Sequence, residues 1–130
     1  MLVVDASVSV AACLSEGGFE ELEDGPLVAP PLLWPETRST LHLAAWSRRI
    51  GVDHAQRALG KLEGAPVRLR NPAALGLEAW RLADRLGWAR TYDAEYAALG
   101  SLLGCRVVTL DTRFRKGAER LGFVVLPEEL

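Results

Sequence analysis

Short apolar runs alternate with longer segments of helical periodicity along the chain. Residues 1–4, 27–29, 107–110 and 123–126 indicate buried strands, and residues 67–69, which alternate with arginines, indicate an edge strand or connector. Strands that are apolar on both faces and are separated by helices are typical of parallel α/β sheets. We therefore predict an α/β fold with a central parallel sheet of four to five strands, flanked by helices on both faces.

Capping residues, prolines and glycines divide the remaining segments into helices. Ser7, Asp53 and Thr91 are predicted N-caps, and Pro35 suits the first turn of a helix. An apolar stripe with helical period runs through residues 75–86. Helices are predicted over residues 7–14, 35–50, 53–63, 72–86, 91–103 and 112–121, with a short helix around residues 19–22 and a turn at residues 24–26.

The composition is that of a globular domain, with 130 residues of which 49% are apolar and 25% charged. No repeat or linker interrupts the chain, so residues 1–130 are predicted to form one domain. No apolar run approaches the roughly 18 residues of a membrane helix, and no basic region marks a signal peptide. Cys13 and Cys105 are expected to be buried thiols rather than a disulfide or zinc pair. We expect a cytoplasmic protein with no membrane association.

Charge is distributed unevenly along the chain, although the net charge is only −2. This balance argues against a protein that coats nucleic acid by charge alone. An acidic block occupies residues 16–24, whereas residues 38–90 contain ten Arg or Lys against four acids. These basic residues form either solvated helix faces or a functional positive surface.

Four acidic residues follow predicted strands or begin predicted helices. Asp5 and Asp111 each end an apolar strand, and Glu36 and Asp93 each lie in the first turn of a helix. Singly, each has a structural explanation as a turn former or as a partner of the helix dipole. In a parallel sheet, however, all four would lie near the carboxyl edge, where ligands bind in α/β folds.

Carboxylates gathered at one edge raise one another's pKa values unless a cation lies among them. Oxygen ligands suit Mg²⁺ or Mn²⁺, and His42 and His54 are expected to be packed or solvated rather than zinc ligands. Such a metal activates a water and stabilises a leaving oxygen, which suits phosphodiester hydrolysis. The sequence has no G-x-S-x-G elbow or phosphate-binding glycine loop. Ser7 lacks an evident histidine base and is predicted to cap a helix or to position Asp5.

Four segments carry a resemblance to a known family: VVDAS at residues 3–7, Pro35-Glu36 before a helix, TYDAEYAAL at residues 91–99 and VTLDTRF at residues 108–114. Over essentially its whole length the chain resembles PIN-domain ribonucleases of the VapC toxin group. The resemblance implies a parallel sheet flanked by helices and divalent-metal-dependent cleavage of RNA. It also implies a VapB-type antitoxin as partner, and homodimers.

The resemblance further implies roles for individual residues. The family's catalytic acidic quartet matches Asp5, Glu36, Asp93 and Asp111. Asp5 and Asp93 would be the strongest ligands of Mg²⁺ or Mn²⁺, whereas Glu36 and Asp111 would bind the metal directly or through water and orient the attacking water. Residues that would fix a carboxylate or contact substrate are Ser7, Thr91, Thr109 and Arg113.

Alternative functions stay open at this point. A PIN-like fold can bind RNA or a partner's arginine without turnover, and an RNA-processing nuclease needs no antitoxin. A phosphatase or phosphoacceptor domain is less consistent with the sequence, because Ser7 stands where an aspartyl nucleophile's second acid is usual. The tryptophans are candidates for a dimer surface, although core packing is expected for most of them: Trp34, Trp46, Trp80 and Trp88.

Overall fold

A computed structural model of the chain describes residues 1–22 and 25–130. Its sheet contains five strands, which are β1 (Leu2–Val4), β2 (Leu27–Ala29), β3 (Val67–Leu69), β4 (Arg106–Val108) and β5 (Val124–Val125). The strands lie in the order β3-β2-β1-β4-β5, and every neighbouring pair is parallel. The predicted parallel α/β sheet is therefore confirmed, with the larger of the two expected strand numbers.

Six α-helices flank this sheet within the described ranges. They are α1 (Ala6–Leu14), α2 (Leu33–Trp46), α3 (Val52–Glu63), α4 (Leu75–Leu86), α5 (Tyr92–Leu103) and α6 (Thr112–Gly117). Helices α1, α2 and α3 pack on one another, whereas α4 packs on α5, which lies against β1 and β4. In the part of the chain that the structure describes, no helix is long and apolar enough to span a bilayer.

The close approach of α5 to the sheet depends on small side chains. Ala94, Ala97 and Ala98 on this helix are completely buried. A Cβ at Gly100 would lie 2.5 Å from Cγ2 of Val107, so only glycine allows this spacing between α5 and β4. The packing fixes the position of α5, and its first turn carries Asp93.

The central strand β1 lies at the point where the direction of the connections reverses. From β1 the chain proceeds to β2 and β3 on one side, and it then returns to place β4 and β5 on the other side. Such a reversal leaves a crevice beyond the carboxyl ends of the two adjacent strands. Asp5 follows β1 directly, and Thr109 follows β4 directly, so both residues border this crevice.

The structure corrects the predicted helix caps. Asp5, not Ser7, is the N-cap of α1 and accepts a hydrogen bond from Val8 N at 3.1 Å, because the helix begins immediately after the strand. Thr91 occupies the N-cap position of α5 without a side-chain hydrogen bond. The N-cap of α3 is Gly51, and the expected cap, Asp53, lies within the first turn of this helix.

Several predicted helix boundaries were too wide. Helix α2 ends at Trp46 rather than at residue 50, because the chain turns at Arg48, whose φ is +60°. Helix α4 begins at Leu75, after a turn that contains Pro72. The last predicted helix is split into α6 and a 3₁₀ turn at Glu119–Leu121, and the acidic segment forms a 3₁₀ turn at Gly18–Glu21. Part of the turn predicted at residues 24–26 lies outside the described residues.

Only two of the four tryptophans pack against the core, although core packing was expected for most of them. Trp46 and Trp80 are 79% and 64% exposed and do not pack in the core. Trp34 and Trp88 pack partly buried against the core. Of the two cysteines, Cys13 is buried as predicted, Cys105 is only half-buried, and both thiols are free.

Candidate active site at the carboxyl edge of the sheet

Asp5 is held rigidly at the carboxyl end of β1. Its Oδ1 accepts hydrogen bonds from Ser7 Oγ at 2.6 Å and from Val8 N at 3.1 Å, and its Oδ2 accepts one from Thr109 Oγ1 at 2.5 Å. The side chain is almost completely buried, with 4% of its surface exposed. Three donors thus fix the orientation of a carboxylate that the core would otherwise leave unsolvated.

The same hydroxyl groups tie Asp5 to Asp111. Ser7 Oγ accepts a hydrogen bond from Leu110 N at 2.9 Å, and Thr109 Oγ1 accepts one from Asp111 N at 2.9 Å. Asp111 is the N-cap of α6, and its Oδ1 accepts hydrogen bonds from Arg113 N and Phe114 N. Asp111 Oδ2 receives no hydrogen bond from the described residues, so it is available to a ligand.

Glu36 reaches the same edge from the first turn of α2. Its Oε1 accepts a hydrogen bond at 3.1 Å from the hydroxyl of Tyr96, which is completely buried on α5. We did not predict a role for Tyr96 from the sequence. It lies three residues after Asp93, on the same side of the helix, and this spacing was the available indication.

Asp93 lies in the first turn of α5, where its side chain reaches solvent. Asp93, Glu36 and Asp111 line one open pocket of about 670 Å³. The other side chains of its wall come mainly from the loop before α5 and from α6: Trp88, Ala89, Arg90, Tyr92, Arg113 and Phe114. The pocket therefore presents carboxylates together with aromatic and guanidinium groups.

The pKa values show that the acids interact through their charges. Burial raises the pKa of Asp5, and the nearby charge of Asp111 raises it further. Desolvation also raises the pKa of Asp93, as do the charges of Asp111 and Asp5, whereas Arg113 lowers it. The pKa of Glu36 is raised by desolvation and by the charges of Asp93 and Asp5, against the hydrogen bond from Tyr96. The four predicted acids thus form one electrostatically coupled cluster.

The donor set of this cluster fits a hard divalent cation. The pocket is lined by carboxylates and contains neither histidine nor cysteine among its described residues. Asp93 accepts no hydrogen bond there, so both its oxygens are available. No three His, Cys, Asp or Glu side chains of the described ranges are close enough together to enclose a metal ion. A cation among these carboxylates would cancel their mutual repulsion.

The remaining predicted residues differ in their placement. Ser7 and Thr109 contact the Asp5 carboxylate, and Arg113 lines the pocket. Thr91 neither lines the pocket nor makes a side-chain hydrogen bond within the described ranges. Arg90 and Tyr92 were not predicted as site residues, although both lie within three positions of Asp93 in the sequence.

Comparison with known proteins identifies the family. The sequence profile of the PIN domain matches residues 2–120. The chain belongs to the PIN-domain family. Among curated relatives of this PIN domain, a VapC ribonuclease of Mycobacterium bovis is 34% identical over 114 residues, which are 87% of each chain. Ribonuclease VapC9 of Mycobacterium tuberculosis matches with the same identity and coverage.

Solved structures show the same fold. PAE2754 from Pyrobaculum aerophilum has a TM-score of 0.75 at 24% identity, over 98% of this PIN domain and 84% of that chain. VapC20 of Mycobacterium tuberculosis, described as a sarcin–ricin loop cleaving toxin, has a TM-score of 0.64 at 22% identity. That match covers 95% of this PIN domain and 97% of VapC20. The resemblance deduced from the sequence motifs is thereby confirmed for both family and fold.

Proposed function

We propose that this chain is a Mg²⁺- or Mn²⁺-dependent endoribonuclease and acts as the toxin of a VapBC-type pair. The main observation that supports this proposal is the electrostatically coupled cluster of four carboxylates at the carboxyl edge of the sheet. The curated relatives are named ribonucleases, which supports RNA as the substrate. Residues 1–130 would act as one PIN domain in the cytoplasm, as a homodimer, held inactive by an antitoxin.

Each acid has a role that follows from its surroundings. Asp5, Asp93 and Asp111 would hold the cation, since Asp93 and Asp111 line the pocket with oxygens that accept no hydrogen bond from the described residues and the charge of Asp5 is coupled to theirs. Glu36, fixed by Tyr96, would orient the attacking water from the α2 side. Ser7 and Thr109 would keep the Asp5 carboxylate in one orientation.

A bound divalent cation would supply a water of lowered pKa and positive charge for the leaving oxygen. The described lining of the pocket contains no serine, threonine or cysteine that could act as a nucleophile. Hydrolysis by water is the reaction that this set of residues favours. Desolvation at the pocket wall strengthens the field of each carboxylate, which helps to concentrate cations there.

The direct test is cleavage of single-stranded RNA by the purified protein with Mn²⁺ or Mg²⁺. Cleavage should stop in excess EDTA and should be lost in Asp93→Asn, with circular dichroism unchanged. Asp53→Asn is the matched control, since Asp53 is an exposed acid in the first turn of α3. Cleavage that persists in EDTA or in Asp93→Asn would contradict the proposal.

Two outcomes would direct the proposal to another function. RNA that is bound with Mn²⁺ present yet stays intact would indicate a binding module without turnover. RNA cleavage without any growth arrest on expression in the host would leave the nuclease standing but would remove the toxin role. Growth arrest that is relieved by co-expression of a VapB-type antitoxin would support the toxin–antitoxin pair.

A further inference from the structure

The pocket wall contains an aromatic ring whose exposure the acidic cluster does not explain. Tyr92 begins α5, lines the pocket and is 56% exposed. Its hydroxyl makes no hydrogen bond among the described residues. Trp88, in contrast, is half-buried in edge-to-face contact with Phe114 at 5.8 Å between ring centroids, so it is part of the packing. Tyr92 is the ring whose face a ligand can cover.

Two arginines accompany this ring. Arg90 lies in the loop before α5 and Arg113 in the first turn of α6, and both are exposed at the pocket. Neither guanidinium forms an ion pair with a carboxylate of the described chain. A phosphodiester that approaches three carboxylates is repelled by them, and positive groups on the same wall reduce this repulsion.

An exposed tyrosine selects between forms of RNA. Stacking of a base on an aromatic ring requires a free face of that base, and in an RNA double helix both faces are covered by neighbouring base pairs. Stacking on a protein ring tolerates any base but demands an unpaired one, and it strengthens binding by about tenfold or more per base. A pocket of about 670 Å³ is of the size that encloses a small ligand rather than a duplex.

We propose that Tyr92 is a stacking platform for one unpaired base next to the scissile phosphate, and that Arg90 and Arg113 contact the flanking phosphates. This inference rests on the proposed ribonuclease function and assigns the site its selectivity for unpaired RNA. Because Tyr92 directly precedes Asp93, a base that stacks on Tyr92 lies beside the acidic cluster.

The test measures binding separately from cleavage. A short single-stranded oligoribonucleotide of mixed sequence, with 2-aminopurine at one position, is titrated with protein in EDTA. Fluorescence reports stacking, because 2-aminopurine is quenched when it stacks on an aromatic ring. The same strand in a duplex is the comparison. Cleavage with Mn²⁺ is then measured on both RNAs.

Substitutions at Tyr92 give the expected result. Tyr92→Ala should weaken single-strand binding about tenfold and abolish the quenching, whereas Tyr92→Phe should keep both because it keeps the ring. Trp80→Ala is the matched control, since Trp80 is an exposed aromatic on α4 outside the pocket. Equal binding and quenching by Tyr92→Ala and the wild type, or tighter binding of the duplex, would overturn the inference.

The roles of Arg90 and Arg113 are tested by the salt dependence of RNA binding. Arg90→Gln and Arg113→Gln should each reduce the slope of log affinity against log salt by about 0.7, the value per phosphate contact on a single strand. Arg57→Gln on α3 should leave the slope unchanged, since Arg57 is exposed away from the pocket. An unchanged slope in both pocket variants would remove the phosphate contacts from the inference.

These outcomes separate the inference from the proposed function. If the wild type cleaves RNA and Tyr92→Ala cleaves and binds equally well, only the stacking role fails. If the wild type stacks 2-aminopurine through Tyr92 but never cleaves with Mn²⁺, the nuclease fails and the stacking platform stands. If the wild type binds no RNA at all, both are overturned.

Discussion

Carboxylates in two regions of the molecule differ in their hydrogen-bond and charge partners, and their pKa values differ as a result. Near the C-terminus of the chain, Glu129 accepts two hydrogen bonds from the Arg115 guanidinium at 2.8 Å and one from Leu126 N at 2.7 Å. These partners lower the pKa of Glu129 to about 2. At the sheet edge, the pKa values of Asp5, Glu36 and Asp93 are all raised, by burial and by one another's charges.

The difference is between an acid that is paired with an arginine and acids whose ionised forms the fold disfavours. The chain itself neutralises Glu129, so this residue holds the C-terminal turn against α6 and needs nothing else. Among the described residues, the acids of the sheet edge have hydroxyl and amide donors but no ion pair, and Arg113 offsets the charge of Asp93. Uncompensated negative charge of this kind would favour a bound cation, which is the basis of the metal dependence proposed above.

The largest expected effect is on RNA cleavage, and it is measured by replacing one acid of each region with its neutral amide. Asp5→Asn should reduce RNA cleavage by about two to three orders of magnitude, as found when one preorganised electrostatic group is removed. Asparagine keeps the N-cap of α1, so the fold should persist. Glu129→Gln should leave the cleavage rate unchanged. Equal loss in both variants, measured on the same RNA, would mean that the two regions do not differ in function.

Metal binding should appear as stability even without RNA. Mn²⁺ at about a hundred times its dissociation constant would stabilise the folded protein by about 2.7 kcal/mol, seen as a rise of several degrees in the unfolding midpoint. Asp93→Asn should lose most of this rise, whereas Asp53→Asn should keep it. Asp93→Asn should also unfold at a higher temperature than the wild type in EDTA, because it removes repulsion. No Mn²⁺-dependent rise in the wild type would argue against a cation site.

Loss of a positioning hydroxyl should have a smaller effect. Thr109→Val removes the donor to Asp5 Oδ2 at nearly constant volume and should weaken metal affinity or activity by about 10- to 100-fold. Thr109→Ser should restore it, since the hydroxyl returns. A merely structural role would lower the unfolding temperature without changing the Mn²⁺ concentration needed for half-maximal cleavage. That concentration is therefore the deciding measurement.

A small effect on stability is expected from the pH dependence of the Arg115–Glu129 ion pair. The pKa of Glu129 is depressed in the folded state, so its pairing stabilises the fold above its ordinary value of 4.5 and is lost as pH falls toward about 2. The unfolding midpoint of Glu129→Gln should lie slightly below that of the wild type at neutral pH and should meet it in acid. The effect is small because the pair is solvent-accessible. A difference that grows toward acid would contradict the assigned sign.

The sheet-edge acids should show the opposite trend. Because their pKa values are raised on folding, their ionised forms cost stability at neutral pH, and this cost decreases as pH falls. The advantage of Asp93→Asn over the wild type in EDTA should therefore shrink as pH falls from neutrality toward 3.8, the ordinary pKa of an aspartate. Thermal melts of the two proteins across this range measure it directly.

The sequence by itself determined the strands and the four acids. The run Leu27–Ala29 was predicted at its observed bounds, because buried parallel strands are apolar and short enough to leave few alternatives. Val67–Leu69, predicted as an edge strand or connector from its alternation with arginines, forms the edge strand β3. Placing Asp5 and Asp111 after strands was enough to predict a common edge, since all parallel strands end on the same side.

Only the tertiary structure decided which groups complete that edge. Tyr96 contacts Glu36 across 60 positions of sequence, and Thr109 contacts Asp5 across 104, so no local pattern indicates either bond. The tertiary structure also exposed Trp46 and Trp80 and made Asp5 rather than Ser7 the cap of α1. The physical reason is common to all of these: periodicity reports which face of an element is apolar, whereas packing between distant elements decides what that face meets.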